Sequence, residues 1–313
     1  MNPPPRSKIL LALGTVYIVW GSTYLGIRFM VAELPPLLSG GFRYLIAGGV
    51  FYVAARLRPG AAPPATGRQL RNAVLLGVGL VGLSNGLVNM AERHVPSGLT
   101  ALLLAVMPLW VALIEMLRPR GQRPTARALL GVATGFVGTA LLVWHPPGGQ
   151  PLHIVSALLL GLASLNWALC SVAGRHADRP ANWMISSGVE MMAGGVAQLI
   201  VGSATGEIGA LAAAHPGPHA LWAFVYLVVI GSWLGYGAFS WLIRNAPPTF
   251  VATYAYVNPL VAVILGAAIA GEALGLRTLA GGAVIVLSVV VVTTARRPVR
   301  SGSDAANDRS RHG

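Results

Sequence analysis

The stretch RNAPPTFVATYAYVNPLV (residues 244–261) repeats an earlier stretch, RHVPSGLTALLLAVMPLW (residues 93–110), at an offset of 151 residues. Six of the 18 aligned positions are identical, and they include the arginine, both prolines and the leucine after the second proline. At the similar offset of 147, Trp20 aligns with Trp167. Self-similarity at one spacing indicates that the chain consists of two related halves.

The composition is that of a membrane protein. Of the 313 residues, 55% are apolar and 10% are charged, and the mean hydropathy is +0.66. Soluble domains carry roughly 25% charged residues, so a soluble fold fits poorly. The net charge of +13 does not indicate nucleic acid as a partner, because the basic residues lie in short loops and not along one polar face. The lone Cys170 excludes an intramolecular disulfide.

Ten apolar runs have about the 20-residue length that a bilayer requires of a helix. They are residues 9–30, 36–56, 70–92, 96–118, 126–145, 152–174, 182–204, 219–243, 247–270 and 276–295. The first run is too long for a signal-peptide core and predicts a retained helix. The polar segment 296–313 predicts a disordered cytoplasmic tail.

The basic residues predict the orientation of the chain in the membrane. If the linkers alternate between the two sides, 18 of the 22 Lys and Arg residues share the side of both termini, and the opposite side holds Arg93 and Arg277. Linkers rich in Lys and Arg stay in the cytoplasm, so both termini are predicted to be cytoplasmic.

The two halves are predicted to be inverted relative to each other. Residues 9–145 form the first repeat and residues 152–295 the second, with five helices in each. Because five is odd, the first helices of the two repeats start from opposite sides of the membrane. The predicted fold class is therefore an all-α membrane protein with ten transmembrane helices in two inverted five-helix repeats. Inverted repeats are typical of secondary transporters, whose site lies near mid-membrane between the repeats.

Several motifs together resemble the EamA family of the drug/metabolite transporter superfamily. They are WGSTYLGIR (20–28), PPLLSGGFRYLIAGG (35–49), NGLVNMAERHVPSG (85–98), SLNWA (164–168) and WLIRNAPPTFVATYAYVNPLVAVILGAAIAGE (241–272). The resemblance covers about residues 9–295. It implies ten helices, two EamA repeats and export of small metabolites, amino acids or drugs from the bacterial cytoplasm across the inner membrane through a central cavity. One departure is that the family's Gly-Glu stands at Gly271-Glu272 but is Gly121-Gln122 in the first repeat.

A proline near the middle of a helix predicts a functional break. Asn258-Pro259 aligns with Met107-Pro108, and each proline lies about 11–12 residues into its predicted helix. Each frees a backbone carbonyl, which in a membrane must face protein or a wet cavity. We predict two symmetric kinks at Pro108 and Pro259 that line the site, with structural kinks satisfied by neighbouring helices as the alternative.

Aromatic residues predict the walls of a cavity. Trp20, Thr23, Tyr24 and Ile27 share one face of the first helix, and Trp167 is the repeat mate of Trp20. Aromatic walls with a few polar groups suit a small amphipathic ligand, although ordinary core packing explains the same pattern. The predicted cavity residues, in full, are Trp20, Thr23, Tyr24, Asn85, Asn89, Met107, Trp110, Trp167, Tyr236, Tyr254 and Asn258.

Polar residues at helical spacing also predict helix faces that lie inside the bundle. Asn85, Asn89 and Glu92 lie on one face of the third helix, and Tyr236 belongs to a similar stripe on the eighth. Such stripes face the interior of a helix bundle and not lipid. A water-lined path and simple hydrogen bonding between helices are both open at this point.

Two charged residues lie inside predicted helices. Arg43 and its repeat mate Glu190 are predicted to differ in depth by roughly 10 Å, so a direct pair between them is not expected. Arg43 is predicted to meet Glu33 or a substrate carboxylate. Glu190 is predicted to bind a cationic group or a coupling proton, with ordinary salt bridges between helices as the alternative for both.

No pattern in the sequence indicates an enzyme or a cofactor. The histidines are not spaced for a metal, and the phosphate loop, the zinc-protease motif and the nucleophile elbow are missing. We therefore predict a transporter of a small molecule in lipid, without cofactor, metal or catalytic residues. The oligomeric state stays open. The alternative is an intramembrane receptor, scaffold or enzyme without transport activity.

Overall fold

The computed structural model describes residues 5–58, 64–117, 125–144, 153–175, 177–246, 251, 253–273 and 275–294. Within these ranges the chain forms a helix at each of the ten predicted positions. We label them α1 (Arg6–Glu33), α2 (Pro36–Leu57), α3 (Gly67–Ala91), α4 (Ser97–Leu117), α5 (Ala126–Trp144), α6 (Ile154–Gly174), α7 (Trp183–Ala204), α8 (Pro218–Ile243), α9 (Tyr254–Ala270) and α10 (Leu276–Thr294). A short helix, Glu207–Ala212, precedes α8.

Seven of these helices are long and apolar enough to cross a membrane. They are α1 to α4 and α6 to α8. The apolar parts of α5, α9 and α10 are shorter, at Ala126–Leu142, Tyr254–Ala270 and Leu276–Val292. The all-helical class is thus observed in the described residues, whereas ten membrane crossings stay a prediction. The predicted tail, 296–313, and the Gly121-Gln122 pair lie outside the described residues.

Local sequence signals set several helix starts. Pro36 occupies the first turn of α2, where a missing backbone N–H costs nothing. Thr66 and Gln69 form a capping box at the start of α3. The Asn182 side chain accepts hydrogen bonds from the backbone N–H groups of Met184 and Ile185 at the start of α7.

Helix α2 packs closely on α7, its repeat mate. A Cβ on Gly48 would lie 2.6 Å from the backbone oxygen of Gly188, and a Cβ on Gly188 would lie 2.9 Å from that of Gly48. Gly41 and Gly195 show the same reciprocity, at 2.9 and 2.8 Å. Since Gly41 and Gly48 align with Gly188 and Gly195 at the offset of 147, the contact has the self-complementary form of a two-fold axis.

The contact between α5 and α10 repeats this arrangement. A Cβ on Gly131 would lie 3.2 Å from the oxygen of Ser288, and one on Gly138 would lie 3.3 Å from the oxygen of Gly281. At the offset of 150, Gly131 aligns with Gly281 and Gly138 with Ser288. Small residues let helix backbones approach in a membrane, where lipid offers no hydrophobic drive for association.

The remaining helices pack across the two halves. Helix α1 packs on α8 and α9, and its repeat mate α6 packs on α3 and α4. Each half therefore places its first helix among the third and fourth helices of the other half. All four contacts are those that an inverted repeat predicts.

Wider, π-helical turns occur at matching places in the two halves. They span Val78–Asn85 in α3 and Leu227–Leu234 in α8, an offset of 149. In each segment a side chain donates to the carbonyl five residues earlier, from Asn85 Nδ2 to Leu80 and from Ser232 Oγ to Leu227. Segments of this kind are rare and occur frequently at functional sites.

The glycine contact predicts a sharp difference between two adjacent positions. A methyl group on Gly48 meets the backbone oxygen of Gly188, whereas a Cβ on Gly49 has no atom within 4 Å. We expect Gly48→Ala to lower the stability by about 1–3 kcal/mol through overpacking, and Gly49→Ala to leave it unchanged. Thermal unfolding of the two variants in detergent measures this, and equal melting temperatures would contradict the proposed contact.

Candidate functional site

A cavity of about 160 Å³ lies between the two halves of the bundle. Its wall is formed by seven helices from both halves, namely α1, α2, α3, α4, α6, α8 and α9. The matched π-helical turns of α3 and α8 supply Ser84, Asn85 and Gly231. No described residue of α7 lines the cavity, but Met191 of α7 belongs to the same buried cluster as Tyr44 of α2.

The structure brings most of the sequence-predicted residues to this cavity. Those that line it are Trp20, Thr23, Tyr24, Asn85, Met107, Trp167, Tyr236, Tyr254 and Asn258, together with Pro108, Pro259 and Arg43. That they contact a substrate stays a prediction.

Trp20 stands at the centre of an aromatic cluster on one side of the cavity. Its ring centroid lies 5.5 Å from that of Tyr236 and 5.4 Å from that of Tyr254, both edge-on, and 4.7 Å from that of Phe239. Rings that pack in this way hold each other in place. The cluster joins α1 to α8 and α9, so this wall is a contact between the two halves.

The polar groups of the cavity are few and partly unpaired. The Tyr44 hydroxyl donates to Asn85 Oδ1 at 2.9 Å. The Asn258 Oδ1 and Ser164 Oγ atoms are buried and have no hydrogen-bond partner among the described residues. Buried polar atoms are seldom left unpaired, so these two are candidate contacts for a ligand or for water.

The two prolines differ in their effect on the helix. Helix α4 is interrupted at Ala105 and Val106, immediately before Met107-Pro108. Helix α9 instead begins at Tyr254 and continues unbroken through Pro259, its sixth residue. Unlike α4, α9 is therefore not interrupted at its proline, and a kink at Pro259 stays a prediction. Tight packing on α1 holds this part of α9, since a Cβ on Gly21 would lie 3.1 Å from the Asn258 backbone oxygen.

Two predicted cavity residues lie outside the lining. Asn89 is buried between helices, where its Nδ2 donates to the backbone oxygen of Pro36 at 3.2 Å. Trp110 packs edge-on against Phe136 of α5, with centroids 4.6 Å apart. Helical spacing placed both on the cavity face, but the neighbouring helix that each one meets is set by the tertiary packing.

The charged residues Arg43 and Glu190 have partners of their own among the described residues. Glu190 is outside the cavity lining, 3.5 Å from Arg179, and accepts from Ser186 at 2.9 Å, which is the ordinary salt-bridge alternative. Glu33 accepts from the Gly217 N–H and does not meet Arg43. Arg43 instead donates from Nε to Ser232 Oγ at 3.3 Å.

Several lining residues were not predicted from the sequence. They are Ile27, Tyr44, Ser84, Val88, Ala101, Leu104, Ala105, Ala163, Ser164, Gly231 and Ala255. Sequence signals existed for four of them. Ile27 shares the predicted face of Trp20, Tyr44 and Ser84 adjoin predicted residues, and Ser164 lies one helical turn before Trp167. The other small and aliphatic residues carry no signal that separates a cavity wall from a packed core.

A central cavity between two related halves of a helical membrane protein is the architecture of a secondary transporter. Sequence comparison assigns the family: the model of the EamA-like transporter family matches residues 6–144 and, a second time, residues 154–294. The chain belongs to this family, which is part of the drug/metabolite transporter group.

Individual relatives agree with this assignment. An uncharacterized inner membrane transporter, YedA, of Escherichia coli (strain K12) is 38% identical over 284 residues, which cover 90% of this chain and 89% of that protein. A probable amino-acid metabolite efflux pump of Salmonella typhimurium is 24% identical over 298 residues, covering 91% and 94%. One solved structure shares the fold with a TM-score of 0.63 at 20% identity, covering 94% of this chain and 100% of that chain.

The cavity predicts which of two adjacent positions is open to water. Met107 lines the cavity, whereas Val106 is 3% exposed and packed in the core. With Cys170 replaced by alanine, we expect Met107→Cys to react with a small water-soluble methanethiosulfonate and Val106→Cys to remain unmodified, because such a reagent reaches only wet surfaces. Mass spectrometry counts the adducts, and equal labelling of the two variants would refute the cavity.

Proposed function

We propose that the chain is a secondary transporter that exports small metabolites, amino acids or drugs by alternating access through the central cavity. The main support for this proposal is that helices of both repeats line one cavity. Because the halves share one fold, each half can adopt the conformation of the other. When the two halves swap conformations, the cavity closes toward one face of the membrane and opens toward the other.

Contacts at one end of the bundle support a closed gate there. Glu272, after α9, accepts hydrogen bonds from the backbone N–H groups of Ser97 and Gly98 at 2.7 and 2.9 Å. Glu207 accepts from those of Leu37 and Leu38 at 3.0 and 2.8 Å. A carboxylate at a helix N-terminus is stabilised by the unpaired N–H groups and the helix dipole.

We place this closed end outside the cell. The proposal puts both termini and the arginine-rich linkers in the cytoplasm of a bacterium and the chain in its inner membrane, as the name of the Escherichia coli relative suggests. The conformation described here then is the one closed to the outside, from which a cytoplasmic substrate would be loaded.

Export is supported by the relatives' names and not by the geometry. The Salmonella typhimurium relative is named an efflux pump for amino-acid metabolites. An intramembrane receptor, scaffold or enzyme without transport remains the alternative, and it offers no reason for a cavity built from two matched halves.

Counterflow in proteoliposomes tests the proposal. The purified chain is reconstituted with a panel of unlabelled compounds inside and their labelled forms outside, with and without a pH gradient. We expect uptake of at least one small metabolite, since exchange across the membrane defines a transporter. No flux of any panel member would favour the receptor, scaffold or enzyme.

The cavity assignment predicts which variants lose this flux. Trp20→Ala and Asn258→Ala remove a lining ring and a lining amide, so we expect a roughly tenfold loss, the equivalent of about 1.4 kcal/mol. Trp222→Ala and Leu260→Ala are matched controls, because these side chains are 72% and 50% exposed on the outer surface of the bundle. Normal flux in both cavity variants, with folding verified by size-exclusion chromatography, would show that the cavity is misassigned.

A further inference from the structure

Arg43 is the only formally charged side chain among the described residues that line the cavity. It is 3% exposed and projects from α2 beside the π-helical turn of α8. A charged residue within a membrane helix costs at least about 2.5–3.5 kcal/mol on insertion scales, and such residues usually mark a substrate or ion path.

The guanidinium group is held firmly but is not neutralised. Its Nε donates to Ser232 Oγ, which in turn donates to the backbone oxygen of Leu227 at 3.0 Å. Its Cζ lies 4.6 Å from the centroid of the Tyr44 ring. The Nη1 atom is buried and has no hydrogen-bond partner in the part of the chain that the structure describes.

Most acidic residues in the described part of the chain have other partners, and Glu92 is the exception. Glu190 lies next to Arg179, while Glu207 and Glu272 cap the starts of α2 and α4. Glu92 is within electrostatic range of Arg43, but it lies outside the cavity lining and its carboxylate forms no hydrogen bond. Among the described residues no carboxylate oxygen comes within the 4.0 Å of the Arg43 nitrogens that defines an ion pair.

From this geometry we infer that Arg43 is the specificity-determining residue of the cavity and binds a carboxylate group of the substrate. The inference rests on the transport function proposed above and narrows its substrate class to small carboxylates, including zwitterions. An arginine fork matches a carboxylate in shape and charge, and the ion pair supplies the compensation that the buried guanidinium lacks.

The rest of the lining agrees with such a substrate. The unpaired oxygens Asn258 Oδ1 and Ser164 Oγ can accept hydrogen bonds from an ammonium group, and the rings of Trp20 and Tyr236 offer contacts to an apolar body. A substrate with a positive charge and no carboxylate would meet the like charge of Arg43, which disfavours cationic drugs.

A cysteine reporter tests the charge selectivity without any need for transport. In the Cys170→Ala background, the thiol of Met107→Cys is reacted with 2-sulfonatoethyl methanethiosulfonate, an anion, and with 2-(trimethylammonium)ethyl methanethiosulfonate, a cation. Each rate is divided by the rate of the same reagent with 2-mercaptoethanol. We expect the anion-to-cation ratio to exceed one and to fall roughly tenfold in Arg43→Gln, because a nearby unit charge attracts one reagent and repels the other.

Two further variants separate charge from shape and from remote effects. Arg43→Lys keeps the positive charge and is expected to keep the ratio. Arg68→Gln removes a charge whose side chain is 71% exposed outside the cavity and is expected to change nothing. A ratio at or below one in the Met107→Cys protein, or a ratio that Arg43→Gln leaves unchanged, overturns the inference. If the Arg43→Gln protein is not monodisperse, the inference is judged by the anion-to-cation ratio of the Met107→Cys protein that retains Arg43.

A second experiment measures transport of the compounds that the counterflow panel identifies as substrates. Each transported carboxylate is compared with its uncharged amide at the same concentration, and we expect the amide to move at least tenfold more slowly. Equal rates for acid and amide would overturn the inference and leave the transporter function intact. Absence of all flux would instead count against the transporter, and the thiol ratio would still decide the role of Arg43.

Discussion

The close contact between α2 and α7 is the constraint on which the rest of the bundle depends. Four glycines, Gly41, Gly48, Gly188 and Gly195, let the two backbones touch without a side chain between them. Because each helix is the repeat mate of the other, their contact relates the two halves by an approximate two-fold axis. The same contact fixes the direction in which Arg43 and Tyr44 leave α2, and both residues line the cavity.

The helices around the cavity are not uniform. Helix α4 is interrupted at Ala105 and Val106, and α3 and α8 carry matching π-helical turns. Regular helices with complementary faces would close into a packed core. These irregular segments contribute lining residues to the cavity, while the glycine contacts and the carboxylate caps join the helices elsewhere.

Sequence reasoning located most of the cavity because the relevant signals are local. Trp20, Thr23 and Tyr24 share a helical face, and Asn258 is a polar residue that a membrane helix must place against protein or water. The same reasoning put Asn89 and Trp110 on the cavity face, but both lie outside the lining, because their positions depend on the helix that each one meets. Pro259 shows a third case: the sequence predicts a helix break, but α9 continues as a helix through this residue.

The sequence by itself determined the membrane class, the two related halves and the family, since apolar length, charge asymmetry and repeated motifs are properties of the chain order. It also marked Arg43 as a charge that required a partner. Only the tertiary structure decided that no carboxylate of the described helices pairs with Arg43, and that its guanidinium borders the cavity. The reason is physical: a charge in a low-dielectric interior is defined by the groups within a few ångströms, and these come from helices distant in the sequence.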